Sequence, residues 1–191
     1  MEKNIGLYLG TFDPFNNNHL QIIKKSLRIL DKVIIQPHND NPFIKKKHES
    51  FKHRARMLRL GLKGIKRIRI KEEKRNVYVL CKKKFRYQLI KWTKNKIKDK
   101  LWIIMGSDKL NNDMYKISSS ELFKIPHVVF LRNQKDIKCK QLKYFNEIIL
   151  LEGPKNISSS KIRQKIKNDS PIERYIPKKV LNYIRENILY K

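Results

Sequence analysis

Apolar positions along the chain fall into two spacings. Residues 5 to 10, IGLYLG, form a short apolar run of strand type. The next segment, HLQIIKKSLRIL, places Leu20, Ile23, Leu27 and Leu30 three or four apart, the stripe of an amphipathic helix. KVIIQP reads as a second strand, stopped by Pro37. ESFKHRARMLRLGL reads as a helix with Phe51, Met57, Leu58 and Leu62 inward, and IKRIRI alternates as a strand does. The spacing predicts a helix over 83–97, with Phe85, Leu89, Ile90 and Ile97 on one side. LWIIMG, HVVFL and EIILL follow as three more apolar strands. A helix from about Ser158 to Lys167 and a last one, KKVLNYIREN after Pro177, close the chain.

Strands alternating with helices predict an α/β fold with a doubly wound parallel sheet flanked by helices. The chain has 191 residues, the size of one domain, and no repeat or low-complexity linker divides it, so 1–191 reads as a single domain. The loop from about Pro37 to Ser50 is long and carries Pro42, Lys45, Lys46 and Lys47. Connections of that length are often functional.

Composition adds limits. Hydrophobic residues make up 40%, enough for a real core. No run of about 18 apolar residues suggests a membrane span. MEKNIGLYLG has too short an apolar stretch for a secretory signal, so a cytoplasmic protein is expected, with the nucleus equally compatible. Cys81 and Cys139 lack metal spacing and are read as free thiols. Lys and Arg total 46 against 17 Asp and Glu, a formal net charge of +29. That charge would attract polyanions or steer anionic substrates inward. The basic residues are spread rather than striped, and Lys, Asn and Ile are abundant throughout, so the charge reads mainly as compositional.

Three segments carry candidate chemistry, each following a predicted strand. In parallel sheets, ligands bind beyond the carboxyl ends of the strands. GTFDPFNNNHL offers Gly10, where backbone can approach a ligand, then Asn18 and His19 at the start of a helix whose amides and dipole favour phosphate. NISSSKIRQKIK places three hydroxyls and Arg163 at another helix start; Ser158 or Ser159 suits a cap, and Ser160 and Arg163 suit triphosphate oxygens. IIMGSDK ends a strand with Asp108, an acceptor for ribose hydroxyls. The three together describe a pocket for a nucleoside triphosphate.

The same segments carry a resemblance. GTFDPFNNNHL resembles the G-[ST]-F-D-P-x-H-x-G-H-L signature of the nucleotidyltransferase superfamily, and ISSSKIR its I-S-S-[ST]-x-[IL]-R motif. NPFIK, HRARML, IIMGSD and FLRN resemble motifs of nicotinate and nicotinamide mononucleotide adenylyltransferases. The resemblance covers nearly the whole chain. It implies a Rossmann-like fold and transfer of an adenylyl group from ATP to a pyridine mononucleotide, with pyrophosphate released in NAD biosynthesis and Mg²⁺ accompanying ATP. It implies Thr11, Phe12, Asn16 and His19 along the phosphates and Gly106, Asp108 and Ile157 at the adenosine. Ser158, Ser160 and Arg163 would hold the triphosphate. Arg54, Arg132, Tyr78 and either Met114 or Tyr115 would serve the mononucleotide. His19 and Arg163 would carry the transition state, helped by Lys45. Asn16 replaces the signature's first histidine, and Asn18 its glycine.

No clustered carboxylates suggest a protein cage for a metal, so Mg²⁺ is expected to ride on substrate. A homo-oligomer is compatible with the sequence. Within the superfamily, an enzyme acting on pantetheine phosphate is the near alternative; the long NPFIK…HRARML segment disfavours it. A basic nucleic-acid-binding protein is the alternative of another class, and the aromatic residues give it no RNA-stacking signature. An inactive relative with a broken signature is the third.

Overall fold

A computed structural model describes residues 1–38, 48–72, 98–109, 123–132, 142–154 and 157–191. The helix expected over 83–97, both cysteines, and Lys45, Tyr78, Met114 and Tyr115 lie outside the described residues.

Six strands form one sheet: β1 (Asn4–Gly10), β2 (Lys32–Pro37), β3 (Ile68–Ile70), β4 (Lys100–Gly106), β5 (His127–Leu131) and β6 (Ile148–Glu152). Every pairing is parallel, in the order β3-β2-β1-β4-β5-β6. This is the α/β, Rossmann-like sheet that the alternation of elements predicts. The described helices are α1 (Asn17–Ser26), α2 (Phe51–Gly61), α3 (Ser159–Lys167) and α4 (Lys178–Glu186). Short 3₁₀ turns lie at Ser107–Lys109 and Glu173–Tyr175.

The central strands are apolar on both faces because both faces are covered. Tyr8, Val33, Ile35, Trp102, Ile104, Val128 and Phe130 meet the apolar stripes of all four described helices. Residues one position away in the strands, such as Leu7, Ile34, Ile103 and Val129, form a second core with Phe123, Ile125 and Phe145. Leu7 lies opposite Ile34 on one side and Ile103 on the other, so three strands contribute to one apolar row.

Two elements are shorter than their sequence patterns. The stripe from Leu20 to Leu30 outruns α1, which ends at Ser26. The chain turns there because Asp31 must return to β1, where its N–H bonds Asn4 O and its carboxylate accepts from Asn4 N. Leu27 and Leu30 still reach the core. Their carbonyls, freed by the end of the helix, accept from Arg67 Nη2 and Nη1 at 2.8 and 3.3 Å. Arg67 itself sits at φ 62°, which confines the IKRIRI pattern to the three residues of β3.

Gly61, the last residue of α2, faces Phe15 beneath the first loop, and a Cβ there would lie 2.4 Å from the fully buried Phe15 ring. A Gly61→Val variant is expected to lose about 1–3 kcal/mol of stability through overpacking, read from the midpoint of chemical denaturation. A midpoint equal to that of the native chain would mean that Phe15 has room to move.

Candidate active site

β1 is flanked by β2 on one side and β4 on the other, so the connections leave it in opposite directions. A crevice opens where such connections part. Here a cavity of about 490 Å³ lies at the carboxyl ends of β1 and β4. The loop after β1 contributes Gly10, Thr11 and Phe12, and α1 contributes Asn18 and His19, with Asn16 as its cap. Gly106, Asp108 and Arg132 come from the ends of β4 and β5. Ile157, Ser158, Ser160 and Arg163 come from the start of α3. The three segments singled out in the sequence therefore face one cavity.

The run of asparagines works as a set of staples. Asn16 caps α1: its Oδ1 accepts from Asn18 N and His19 N at 3.1 and 3.2 Å. Its Nδ2 donates to Ser159 Oγ at 2.9 Å. Asn17 donates to Arg174 O and Asn18 to Ile157 O. The first turn of α1 is thus closed by a side chain, and its amides are less open to phosphate than the sequence suggests. Asn16, expected at the phosphates, lines the cavity with its amide committed to the protein. At α3 the cap is Ser158, which accepts from Lys161 N at 3.3 Å. The N–H groups of Ser159 and Ser160 keep the open character of a helix's first turn.

Gly10 lines the cavity, and a Cβ there would stand 2.8 Å from the Phe12 ring, so glycine makes room for that ring. Phe12 adopts φ 53°, a conformation that costs a bulky residue about 1–3 kcal/mol. The same ring packs edge-on to Tyr8 and His19, with centroids 5.3 and 5.1 Å away. Phe15 stacks on His19 from another side at 5.7 Å.

This aromatic wall defines the chemistry of His19. Burial pushes the imidazole down to about 3, and the Arg132 charge adds to the shift. His19 Nδ1 accepts from Asn16 N–H at 3.2 Å, so the ring proton sits on Nε2. His19 is therefore a fixed neutral donor, with no positive charge to offer.

Asp13 is the node between the two motifs. It is 1% exposed. Tyr190 Oη donates to its Oδ1 at 2.7 Å, and His48 Nδ1 lies 3.0 Å from its Oδ2. Arg163 Nη1 donates to the Asp13 main-chain oxygen at 2.6 Å and lies 3.6 Å from Oδ2. Arg163 Nη2 also reaches Ser160 Oγ at 3.3 Å. Burial, then the Asp13 charge, push the Tyr190 hydroxyl far above its ordinary range, so it stays a donor.

The cavity wall at the ends of β4 and β5 is simpler. A Cβ on Gly106 would lie 2.6 Å from Asp108 Oδ1, so glycine leaves room for that carboxylate to fold back over its own strand. Asp108 faces Arg132 at 3.7 Å. Arg54 departs from expectation: it does not line the cavity. It is 1% exposed behind the first loop, donating to Thr11 O at 2.8 Å and Glu49 O at 2.9 Å. Its motif places it correctly in the chain, and its burial makes it a support for Thr11. The sequence reading missed His48, Tyr190 and Gly153, and took Ser159 only as an alternative helix cap. Ser159 accepts from Asn16 and donates to Pro14 O, joining the two motifs. Gly153 lines the cavity with no room for a side chain, since a Cβ would lie 2.6 Å from Leu131 O. Its place one residue after β6 was the available signal.

Among the described residues, no group of three or more His, Cys, Asp or Glu could hold a metal, and no helix is long and apolar enough to cross a membrane.

Residues 7–165 match the cytidylyltransferase-like family, and the chain belongs to that family. A Clostridium botulinum (strain Alaska E43) protein named "Probable nicotinate-nucleotide adenylyltransferase" is 34% identical over 99% of this chain and 98% of its own. A second protein of that name, from Clostridium botulinum strain Hall, is 31% identical over 95% of this chain and 96% of its own. The structure of Plasmodium falciparum nicotinic acid mononucleotide adenylyltransferase complexed with NaAD shares the fold, with a TM-score of 0.78 and 23% identity over 98% of this chain and 97% of that one.

His127 is the second depressed imidazole, pushed by burial to about 4 against the opposing pull of its bond to Ile125 O. Both groups bind protons more weakly folded than unfolded, so their contribution is complete above about pH 6.5 and is lost as pH falls toward 4 and then 3. Ring NMR signals of His19 and His127 are expected to stay at their neutral positions from pH 8 to about pH 5. A His19 midpoint near the ordinary value of about 6.5 would contradict the neutral-donor assignment.

Proposed function

We propose that the chain joins ATP to nicotinate mononucleotide, forming the dinucleotide and releasing pyrophosphate. The observation that carries this reading is the bonding of the two signature segments to each other across the cavity, Asn16 to Ser159 and Arg163 to Asp13. The family membership and the 34% identical relative support it. The named relatives favour nicotinate over nicotinamide as the pyridine.

In this mechanism, a phosphate oxygen of the mononucleotide attacks the α-phosphorus of ATP. The bond to the β-phosphate oxygen breaks, and pyrophosphate leaves. The nucleophile is already anionic, so the protein needs no covalent intermediate and no general base. Its work is alignment and neutralisation of charge on the phosphates. His19 Nε2–H donates to a phosphate oxygen from an apolar wall, where water does not weaken the bond. Arg163 supplies positive charge from a guanidinium fixed by Asp13 and Ser160. Open amides at the start of α3 receive the outer phosphates, beside Ser158 and Ser160. Gly106, Asp108 and Ile157 take the adenosine. Thr11 and Phe12 border the phosphates, and Arg132 faces the mononucleotide. Tyr78, either Met114 or Tyr115, and the helper Lys45 keep the roles that the family resemblance gives them.

Mg²⁺ would supply further charge neutralisation when bound with ATP. The cavity's described carboxylates are committed, Asp13 to its donors and Asp108 opposite Arg132, so they form no cage, and the ion would sit on phosphate oxygens.

Pyrophosphate release from ATP should occur with nicotinate mononucleotide, and to a lesser extent or not at all with nicotinamide mononucleotide or pantetheine phosphate. No release with either pyridine mononucleotide would defeat the proposal. His19→Ala is expected to lower kcat by at least about a hundredfold, the usual cost of removing a donor that stabilises transition-state charge, with the circular dichroism spectrum unchanged. A variant near full activity would remove His19 from the reaction.

A further inference from the structure

We propose that Tyr190 is a positioning residue for the reaction: acting through Asp13, its hydroxyl sets where the Arg163 guanidinium stands in the cavity wall. The proposal rests on the nucleotide-binding reading of the cavity. It adds a residue that lies in neither signature segment and sits behind the wall rather than in it.

The route to Asp13 starts where α4 ends. Asn187 caps the helix. Ile188 N donates to Arg185 O at 3.2 Å and Leu189 N to Ile184 O at 3.0 Å, the pair of bonds that closes a helix through a left-handed residue after its cap. Glycine is the usual residue there; here it is Ile188, at φ 50°. Tyr190 repeats the departure at φ 69°. Such backbone is unfavourable for β-branched and bulky residues and persists only where the surroundings hold it. The Ile188 side chain is exposed, so the turn serves the residues that follow it. Leu189 enters the same core as Ile184. The Tyr190 ring is buried with its hydroxyl 3.9 Å from Met57 Sδ and donates to Asp13 Oδ1 at 2.7 Å.

Packing needs only the ring, which phenylalanine would supply. The hydroxyl has another task. Among the described residues it is the only donor on Asp13 Oδ1, while His48 Nδ1 lies 3.0 Å from Oδ2. Contacts on both oxygens fix the plane of the carboxylate. Arg163 depends on that residue twice: its Nη1 donates to the Asp13 main-chain oxygen at 2.6 Å and lies 3.6 Å from Oδ2. Without the hydroxyl, Oδ1 would be buried with no donor, and the carboxylate would turn to recover one. Arg163 is the charged donor within reach of that turn. Its guanidinium, also bonded to Ser160 Oγ, would be drawn onto Asp13 and away from the cavity. Burial and the Asp13 charge keep the Tyr190 hydroxyl protonated, so this donor is not lost by ionisation.

The test is pyrophosphate release from ATP and nicotinate mononucleotide by the full chain carrying Tyr190→Phe. The variant keeps the buried ring, and thermal melts establish that it folds. It is expected to lower kcat about tenfold, the scale of a small misplacement at a reacting group, with KM for ATP changed by less than about twofold. In an Arg163→Ala background the same substitution is expected to change kcat by less than about twofold, because its effect has lost its carrier. A smaller folded fraction would instead lower kcat by the same factor in both backgrounds. Tyr183→Phe is the comparison: that hydroxyl bonds His53 Nδ1 at 2.8 Å elsewhere on α4, and its loss is expected to leave kcat unchanged. A second readout needs no turnover. The Arg163 side-chain Nε–H NMR signal, identified by its absence in Arg163→Ala, is expected to move in Tyr190→Phe and to stay in Tyr183→Phe. A native kcat in Tyr190→Phe, an equal loss in the Arg163→Ala background, or an unmoved Arg163 signal would overturn the proposal. A signal that moves as expected in a chain with no turnover on either pyridine mononucleotide would support the placement of Arg163 by Tyr190 and defeat the reading of the reaction.

Discussion

A buried carboxylate cannot be left alone, and Asp13 imposes that constraint on the whole site. An unpaired charge inside a protein costs several kcal/mol, on the order of the margin by which a domain is stable. Asp13 meets it with the His48 and Tyr190 side chains on its two oxygens and the Arg163 charge 3.6 Å away, groups separated from it by 35, 177 and 150 positions. Satisfying one carboxylate draws the first loop, the start of α2, α3 and the C-terminal tail into one place. Assembly of the cavity wall is thus coupled to folding.

The same economy governs the asparagines. A histidine and a glycine of the superfamily signature are replaced here by Asn16 and Asn18. Neither replacement is idle. Asn16 closes the first turn of α1 and holds Ser159, and Asn18 holds the Ile157 carbonyl beside the cavity. Both side chains have become fastenings of the cavity wall. Two donors among the described residues of the cavity wall are each fixed by a partner: His19 by Asn16 N–H, Arg163 by Asp13 and Ser160.

How much of this was legible in the sequence follows from the range of each interaction. Strand and helix periods are local, so β1, β2, β4, β5, β6 and the four described helices could be read from spacing, with ends displaced by only a few residues. The ends of α1 and β3 moved because Arg67 and Asp31 bond to other elements, which no local pattern reveals. The cavity's outline was legible because its segments follow strands of a parallel sheet. Asp13's partners were not. His48 resembles any surface histidine before a helix, and Tyr190 any aromatic residue near a terminus, until the fold sets them on the same carboxylate. Arg54 shows the reverse error: a matching motif suggested contact with substrate, and burial assigns it to the backbone of Thr11 instead.

The charges differ in how firmly they are held. Ion pairs such as Arg59–Glu72, Lys100–Glu147 and Arg185–Glu173 are exposed, and such pairs contribute about 0–1 kcal/mol each. Charges on the surface act over a Debye length of about 8 Å at physiological salt, so they raise the local concentration of anions without distinguishing a ground state from a transition state. Discrimination needs charge at a fixed point. Arg163 is held at two places on its guanidinium and is 17% exposed, which removes both its freedom and most of its screening. One such residue can favour a reacting phosphate over a resting one, which a diffuse excess of lysines cannot. The net charge of +29 is spread over the surface, whereas the Arg163 charge tied to Asp13 is fixed at one point of the cavity wall.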